Sequence, residues 1–261
     1  MPFSCSDLPC VILAGGFGSR LGDITESIPK PMVEIGGKPI LWHIISHYMS
    51  FGVTNFILAL GYKSAYIKRY FMDFQCLSSD FTLDLANGQI DLLGETIRHP
   101  KITFVDTGIA TSTGTRLAHL KTFLKRHKSF MLTYGDGVSN VNLDSLYEFH
   151  RSHGCSATVT AVRPPARFGE LVLDGESVIG FNEKPSISSG RINGGFFVLN
   201  QSFFDYIPPS NVMLEREPIQ QAIKSHDLMA FKHDGFWQCM DTKRDLECLT
   251  RLYEKHGARF W

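Results

Sequence analysis

Apolar and polar positions alternate along the first three fifths of the chain in blocks that predict strands and helices in turn. Short apolar blocks typical of buried strands lie at residues 10–14, 55–60, 101–105, 129–133 and 156–162. Apolar side chains recur at helical spacing at residues 39–50, 63–73, 113–125 and 142–152. Strands separated by helices predict parallel βαβ units with right-handed crossovers.

Two stretches depart from this alternation. Asn87-Gly88 lies between two alternating runs within residues 81–93, which predicts a β-hairpin that leaves the main sheet. After residue 164 the pattern changes. It predicts strands at 170–173, 177–182, 194–199 and 228–233, and helices at about 214–225 and 242–255. We therefore expect an α/β fold with a doubly wound, mostly parallel sheet, a hairpin excursion and a smaller C-terminal lobe.

Composition and charge narrow the function classes. The chain has 261 residues, 43% apolar and 20% charged, and its 26 basic and 26 acidic residues give a formal net charge of zero. This balance gives no support for a nucleic-acid or membrane-surface partner. The six cysteines form no C-x-x-C pair, which argues against a zinc site and favours reduced thiols. Because the N-terminal residues resemble no signal peptide, we expect a cytoplasmic protein.

A glycine-rich loop is the strongest chemical signal. Residues 11–20 read Val-Ile-Leu-Ala-Gly-Gly-Phe-Gly-Ser-Arg, and Lys30 follows between two prolines. Backbone amides of such a loop can cradle phosphate oxygens, and Arg20 and Lys30 add fixed positive charge. Packing alone is a serious alternative explanation for Gly15 and Gly16, but less so for the whole set.

Two familiar phosphate loops are excluded. A Walker A loop needs Ser or Thr after Gly-Lys, whereas Lys38 is followed by Pro39. The dinucleotide fingerprint needs a third glycine or alanine, where this chain has Leu21. We therefore expect the loop to be a phosphate binder of a third kind.

Two aspartates are candidate ligands for Mg²⁺, which takes one or two protein carboxylates plus substrate phosphates. Asp136 comes just past the strand at 129–133, and Asp241 precedes the helix predicted at 242–255. Asp136 could instead be a turn former. Asp241 could be a helix N-cap, a role for which Thr242 competes.

His150 and His153 have metal-ligand spacing on a predicted helix. We interpret them as surface histidines, because no partner motif lies nearby.

Several motifs together resemble the sugar-phosphate nucleotidyltransferases. The signature is Leu-Ala-Gly-Gly-x-Gly-x-Arg-Leu at residues 13–21 followed by Lys30-Pro31, and residues 31–43 carry a more specific likeness. Further matching segments lie at 61–63, 105–108, 133–137, 193–199 and 237–242. The resemblance spans about residues 9–255 and points to the cytidylyltransferase branch. It implies a Rossmann-like fold in a single domain 1–261, with a nucleotide-binding core at 9–163 and a sugar-phosphate lobe at 164–261.

The resemblance also implies a reaction. CTP and glucose 1-phosphate would give CDP-glucose and pyrophosphate with Mg²⁺ as cofactor, in a homo-oligomer that needs neither nucleic acid nor membrane. A dTTP- or UTP-dependent enzyme, a non-catalytic nucleotide-sugar sensor, and a transferase for a non-sugar acceptor are the alternatives. Where relatives often carry K-P-K-P, this chain has Ile28-Pro29 before Lys30-Pro31, which leaves a single lysine.

Site residues follow by resemblance, position by position. Arg20 and Lys30 would be catalytic, and Asp136 and Asp241 would be the metal aspartates. The nucleotide-binding positions are Leu13, Ala14, Gly15, Gly16, Phe17, Gly18, Ser19, Arg20, Lys30, Thr111, Arg116 and Gly135. The sugar-phosphate positions are Tyr134, Glu183, Lys184, Asn193 and Gly194, with Arg167 and Trp237 as weaker candidates. Around Thr111, the polar residues could instead cap the next helix through Ser112 or Thr113. Capping and nucleotide binding are compatible with each other.

Overall fold

The alternating apolar and amphipathic blocks fold into a layered α/β structure. The structure is a computed structural model and describes residues 4–93, 100–164, 170–182, 190–257 and 260–261. The described residues form fifteen strands, numbered here in chain order: β1 (Cys10–Ala14), β2 (Glu34–Ile35), β3 (Lys38–Pro39), β4 (Asn55–Leu60), β5 (Asp80–Asp84), β6 (Gln89–Leu93), β7 (Lys101–Asp106), β8 (Ser129–Tyr134), β9 (Gly137–Ser139), β10 (Ala157–Val162), β11 (Glu170–Asp174), β12 (Ser177–Asn182), β13 (Ile192–Asn200), β14 (Leu228–His233) and β15 (Trp237–Cys239).

Helices fill the connections between these strands. The α-helices of the described residues are α1 (Asp23–Ser27), α2 (Ile40–Ser50), α3 (Ser64–Met72), α4 (Phe74–Ser78), α5 (Thr113–His119), α6 (Lys121–Leu124), α7 (Leu143–His153), α8 (Glu217–Lys224) and α9 (Lys243–His256). Short 3₁₀ turns lie at Cys5–Asp7, Ser19–Leu21, Lys30–Met32 and Gln201–Tyr206.

Seven strands build the central sheet in the order β14-β10-β13-β8-β1-β4-β7. The pairs β8–β1, β1–β4, β4–β7 and β10–β14 are parallel, whereas β13 runs antiparallel to both of its neighbours. The expected mostly parallel, doubly wound sheet is confirmed. The antiparallel insertion of β13 is an addition that the strand–helix alternation did not predict.

Apolar clusters cover both faces of the central strands of the sheet. On β1, Cys10, Ile12 and Ala14 join one apolar cluster, while Val11 and Leu13 join a second cluster on the opposite face. Helices α2 and α9 contribute to the first cluster, and α5, α6 and α8 contribute to the second. Because parallel strands covered on both faces read as continuous apolar runs, the sequence predicted β1 and β4 with their observed bounds.

The parallel strands end along one edge of the sheet. Leu13 pairs with Ala59 of β4 on one side and with Tyr134 of β8 on the other. The loops that begin at Gly15 and Gly135 therefore open side by side, where ligands of open α/β sheets bind.

The C-terminal third contributes to the same sheet. Strands β13 and β14 both lie in it, so the expected core and lobe share their main structural layer. The division of the chain at residue 164 stays a prediction. The helix expected at residues 113–125 is divided at Leu120 into α5 and α6, and the helix expected from residue 214 begins at Glu217.

The hairpin predicted around Asn87-Gly88 is confirmed. Strands β5 and β6 pair only with each other among the described residues, and Gly88 has a positive φ of 76° at the turn. The Asn87 side chain accepts a hydrogen bond from the Gln89 amide at 2.8 Å, which closes the turn.

The expectation of a surface histidine at position 150 is wrong. His150 is buried on α7, and its two ring nitrogens lie 2.8 Å from Thr158 Oγ1 and 3.1 Å from Asn200 Oδ1. The polar side chains of β10 and β13 thus accommodate a histidine inside the core. His153 is partly exposed. No helix among the described residues combines the length and apolarity needed to cross a membrane.

Candidate active site

A cavity of about 480 Å³ opens where β1 and β8 end. Its walls are formed by Leu13, Ala14, Gly15, Gly16, Phe17, Gly18, Ser19, Arg20, Lys30, Pro31, Thr111, Ser112, Thr113, Arg116, Tyr134, Gly135, Asp136, Met213 and Glu215. The structure thus brings together the glycine-rich loop, the lysine between prolines, the loop after β8 and the start of α5. All twelve nucleotide positions expected from the resemblance line this one cavity.

The glycines of the loop have different structural reasons. Gly18 has a positive φ of 68°, and a Cβ there would lie 2.8 Å from the Lys30 Cβ. A Cβ on Gly15 would overlap the Arg116 guanidinium, whereas one on Gly16 would meet nothing within 4 Å. Packing therefore accounts for Gly15, and the backbone conformation accounts for Gly18. Gly16 faces open space, where a side chain would take room from a ligand.

Lys30 lies at the centre of a cluster of charges. Its Nζ contacts Asp136 Oδ2 and Asp241 Oδ1, each at 2.5 Å. Arg20 Nη1 reaches the other oxygen of Asp241 at 2.7 Å. The four residues come from three separate parts of the sequence, and they are the two catalytic and two metal-binding positions that the resemblance implied.

A small β-pair brings the two aspartates together. Strand β9 follows Asp136 directly and pairs antiparallel with β15, so that Gly137 lies opposite Cys239. The Met240 amide also donates to the Asp136 carbonyl at 2.8 Å. Asp136 and Asp241 are thereby fixed on adjacent backbone segments although 105 positions separate them in the sequence.

Asp241 is not the N-cap of the following helix. Thr242 caps α9, because its hydroxyl accepts from the Asp245 amide and the Asp245 carboxylate accepts from the Thr242 amide. This capping box is the competing role that the sequence left open, and Thr242 performs it. The Asp241 carboxylate therefore points to the charge cluster rather than to the helix terminus.

Lys30 stays protonated in this setting. Burial by itself lowers the pKa of Lys30, but the charges of Asp136 and Asp241 and their hydrogen bonds outweigh it, so the pKa lies above its ordinary value of 10.5. A buried, charged lysine with two carboxylate partners is held in one orientation, with its ammonium at the mouth of the glycine-rich loop.

The carboxylates of Asp136 and Asp241 fit a divalent cation. Both reach the same ammonium, so a single cation can contact both. Their hard oxygen donors suit a small divalent ion that takes its remaining ligands from substrate phosphates and water. The described residues contain no larger group of three acidic, histidine or cysteine side chains arranged for a metal.

Arg116 is buried and ties several loops together. Its Nη1 donates to Leu60 O at 2.9 Å and to Gly108 O at 2.7 Å, and its Nη2 donates to Gly15 O at 2.9 Å. It also reaches Thr107 Oγ1 and Ile109 O, at 2.6 and 3.1 Å. The guanidinium thus joins the carboxyl ends of β1, β4 and β7. Its expected contact with the nucleotide stays a prediction.

The turn before α5 is held by one local hydrogen bond and by hydrogen bonds to a distant segment. Thr111 donates its hydroxyl to Thr107 O at 2.6 Å, and the Ser112 amide donates to Asn211 Oδ1 at 2.8 Å. Ser112 occupies the N-cap position, but its side chain makes no capping hydrogen bond. Instead, Thr113 Oγ1 donates to Glu215 Oε2 at 2.7 Å. The capping alternative therefore does not explain these hydroxyl groups.

The candidate sugar side lies beyond Tyr134. Asn193 Nδ2 donates to the Tyr134 hydroxyl at 3.2 Å, and Trp237 Nε1 donates to Gly194 O at 2.7 Å. A Cβ on Gly194 would press on Val162 and on the Thr160 carbonyl, so glycine is needed for the close approach to β10. The expected positions Glu183 and Lys184, and the weaker candidate Arg167, lie outside the described residues.

Glu215 is a cavity residue that sequence reasoning missed. Its Oε1 accepts the Tyr134 hydroxyl at 2.5 Å, and its Oε2 accepts the Thr113 hydroxyl. Met213 joins it in the cavity wall. The surrounding run Leu-Glu-Arg-Glu-Pro at residues 214–218 reads as an ordinary acidic helix start, so no motif distinguished Glu215 from Glu217.

The fold and this site define a doubly wound α/β protein whose cavity brings a glycine-rich loop together with two convergent carboxylates and a charged lysine. The chain belongs to the nucleotidyl transferase family, whose model matches residues 10–255. It is 44% identical to glucose-1-phosphate cytidylyltransferase of Salmonella typhi over 251 residues, which cover 96% of this chain and 98% of that protein. It is 42% identical to a probable glucose-1-phosphate cytidylyltransferase of Bacillus subtilis (strain 168) over 255 residues, covering 97% and 99% of the two chains.

Solved structures agree on the fold. A putative glucose-1-phosphate thymidylyltransferase from Bacillus anthracis superposes with a TM-score of 0.69 at 18% identity, covering 94% of each chain. HddC from Yersinia pseudotuberculosis superposes with a TM-score of 0.67 at 23% identity, covering 94% of this chain and 99% of that one. At these identities the likeness shows the fold alone.

Proposed function

We propose that the protein is an enzyme that converts CTP and α-D-glucose 1-phosphate to CDP-glucose and pyrophosphate. The observation that carries this proposal is the placement of Lys30 and Arg20 against Asp136 and Asp241 at the mouth of the glycine-rich loop. The names of the relatives that match nearly the whole chain supply the choice of CTP and glucose 1-phosphate.

The reaction is an in-line displacement. A phosphate oxygen of glucose 1-phosphate attacks the α-phosphorus of CTP, the bond to the bridging oxygen breaks, and pyrophosphate leaves with that electron pair. The attacking oxygen is already an anion at neutral pH, so the reaction needs no general base. The protein contributes by positioning the reactants and stabilising charge.

Each charged residue has a task in this scheme. Lys30 stabilises the α-phosphoryl oxygens as the displacement proceeds, and Arg20 and the amides of the glycine-rich loop hold the β- and γ-phosphates, which gain charge as they leave. We assign Mg²⁺ to Asp136 and Asp241. When bound there, it neutralises phosphate charge and aligns the two substrates.

The proposal is tested by pyrophosphate release. Wild-type protein is given Mg²⁺ and glucose 1-phosphate with CTP, UTP, dTTP, ATP or GTP in separate reactions. Release with CTP supports the proposal, and release with UTP or dTTP alone would keep the chemistry and reject the base. If no pyrophosphate is released with any of the five nucleotides, and none with other sugar phosphates, the result would favour the nucleotide-sugar sensor. The assignment of Mg²⁺ as cofactor is tested in parallel reactions in which Mg²⁺ is left out or is replaced by Ca²⁺.

We further propose that the protein forms a homo-oligomer through the hairpin. Phe81 pairs with Leu92 and Leu83 pairs with Ile90, so four apolar side chains share one face, each 40–47% exposed. A two-stranded hairpin with an exposed apolar face is marginally stable alone, and a second copy of the chain would cover it.

The oligomer is tested by light scattering after gel filtration. Leu83→Lys charges the apolar face, whereas Thr82→Lys is a matched control on the opposite face of the same strand. Dissociation caused by Leu83→Lys alone supports the proposal, and a wild-type monomer contradicts it. A cytoplasmic location likewise stays a proposal.

A further inference from the structure

We propose that Glu215 and Tyr134 are positioning residues that fix the amide of Asn193 as a hydrogen-bond donor to the sugar phosphate. The inference rests on the proposed function and assigns a role in binding the second substrate to Glu215, which no motif marks. It follows from an unbroken series of hydrogen bonds that runs from Thr113 of α5 through Glu215 and Tyr134 to Asn193 of β13.

The series begins at a carboxylate held at both oxygens. Glu215 Oε2 accepts from Thr113 Oγ1 at 2.7 Å, and Thr113 Oγ1 in turn accepts from the Leu214 amide at 2.8 Å. Glu215 Oε1 accepts from the Tyr134 hydroxyl at 2.5 Å. The carboxylate therefore has a fixed orientation in the wall of the cavity, next to the start of α5.

The position of the Tyr134 hydroxyl proton then sets the direction of the remaining hydrogen bonds in the series. An ionised carboxylate only accepts hydrogen bonds, so the single proton of the Tyr134 hydroxyl points to Glu215. The Tyr134 oxygen is left as an acceptor, and Asn193 Nδ2 donates to it at 3.2 Å. Burial, together with the charge of Glu215, raises the pKa of Tyr134 well above its ordinary value, so this proton stays on the hydroxyl.

The amide of Asn193 is thereby held in one of its two flipped states. Its Oδ1 accepts from the Gly195 amide at 2.8 Å. The opposite flip would set Oδ1 against the Tyr134 oxygen, whose proton is committed to Glu215, and would set Nδ2 against a backbone N–H. The second N–H of the Asn193 amide keeps a fixed direction on this exposed residue, where a sugar hydroxyl or phosphate oxygen can accept it.

The position of the series explains why it would affect the two substrates differently. Tyr134 precedes Gly135 and Asp136 at the end of β8, while Asn193 is the second residue of β13 and lies outside the set of residues that line the cavity. The phosphate loop, Lys30 and Arg20 take no part in these bonds. Disordering the amide should therefore weaken sugar-phosphate binding and leave the triphosphate contacts in place.

The test compares Tyr134→Phe, Glu215→Gln and the double variant with wild type, using the nucleotide that wild type accepts. We expect the KM for glucose 1-phosphate to rise about five- to tenfold in each single variant, as for a lost neutral hydrogen bond. The KM for CTP should stay within about twofold, as should kcat at saturation. The double variant should be no worse than the singles, because both break one series. Glu217→Gln, two residues away at an exposed start of α8, is the matched control and should match wild type.

Thermal unfolding separates positioning from a merely structural role. A structural role would lower the melting temperature and raise both KM values together, which would overturn the inference. An unchanged KM for glucose 1-phosphate in Tyr134→Phe and Glu215→Gln would overturn it as well, while leaving the proposed function intact. Wild-type protein that releases no pyrophosphate with any nucleotide would overturn the proposed function and this role with it.

Discussion

Replacing Lys30 by methionine tests the charge cluster most directly, because the side chain keeps its length and loses its ammonium. The side chain of Lys30 is 11% exposed, and those of Asp136 and Asp241 are 29% and 16% exposed. Removing one partner of a fully buried ion pair costs about 3–5 kcal/mol, and an exposed pair is worth about 0–1 kcal/mol. The cluster lies between these limits, so we expect the free energy of unfolding to fall by about 2 kcal/mol at pH 7.

The effect on turnover should be larger than the effect on stability. Removing one preorganised group that stabilises transition-state charge typically lowers kcat by about 10²–10³. We expect this loss in Lys30→Met, measured by pyrophosphate release at saturating substrates. Lys128→Met, at an exposed lysine far from the cavity, is the matched control for expression and folding. A variant with kcat within about threefold of wild type would refute the catalytic role of Lys30.

The pH dependence of the same variant checks the electrostatics. Because the pKa of Lys30 is raised in the folded protein, its contribution to stability is complete below 10.5 and is lost as the pH rises through the folded-state pKa. Urea unfolding should therefore show a constant difference between wild type and Lys30→Met up to about pH 10, narrowing above it. A difference that already narrows between pH 7 and pH 9 would contradict the assigned charge state.

Three further substitutions give separate tests. Gly15→Ala should lower the free energy of unfolding by about 2 kcal/mol in urea, because its Cβ would overlap the Arg116 guanidinium; wild-type stability would contradict the packing role. Gly16→Ala should keep wild-type stability, since a Cβ there meets nothing within 4 Å, but should raise the KM for the nucleotide. Burial lowers the pKa of His47 to about 4, while its ring donates to Val141 O. Its contribution to stability is therefore present above 6.5 and lost between 6.5 and about 4, by about 1.4 kcal/mol per pH unit. His47→Phe should flatten that slope in acid unfolding curves, and an unchanged slope would assign it to other groups.

The sequence predicted the local elements better than their partners. Strands β1 and β4 have the expected bounds, because buried strands leave continuous apolar runs, and the partly exposed strand β14 has its expected bounds as well. The insertion of β13 between β8 and β10 has no local signature, since antiparallel and parallel neighbours select the same apolar residues. The prediction of a surface position for His150 was wrong for the same reason. The polar partners that allow His150 to be buried come from two strands that lie outside its own helix.

The site residues show the same difference between local and long-range information. The glycine-rich loop and Lys30 lie within one short segment, so spacing alone connected them. Asp136 and Asp241 were paired as candidate metal ligands by their chemistry and by the resemblance, and the structure supplies the physical link in the pairing of β9 with β15. Glu215 was not found at all, because its role depends on two hydroxyl groups from distant segments rather than on its neighbours in sequence.

The positively charged side chains of the cavity differ in the acceptors that they contact. This difference links metal binding to nucleotide binding. Arg116 donates to carbonyls and a hydroxyl at the strand ends, so its guanidinium stays fixed behind the glycine-rich loop. Lys30 and Arg20 instead contact the carboxylates of Asp136 and Asp241. They can turn to phosphate oxygens at low cost only if another cation takes over those carboxylates, since two unpaired aspartates at this separation would repel each other. We therefore expect nucleotide and divalent cation to bind with positive coupling, each raising the affinity for the other by the same factor.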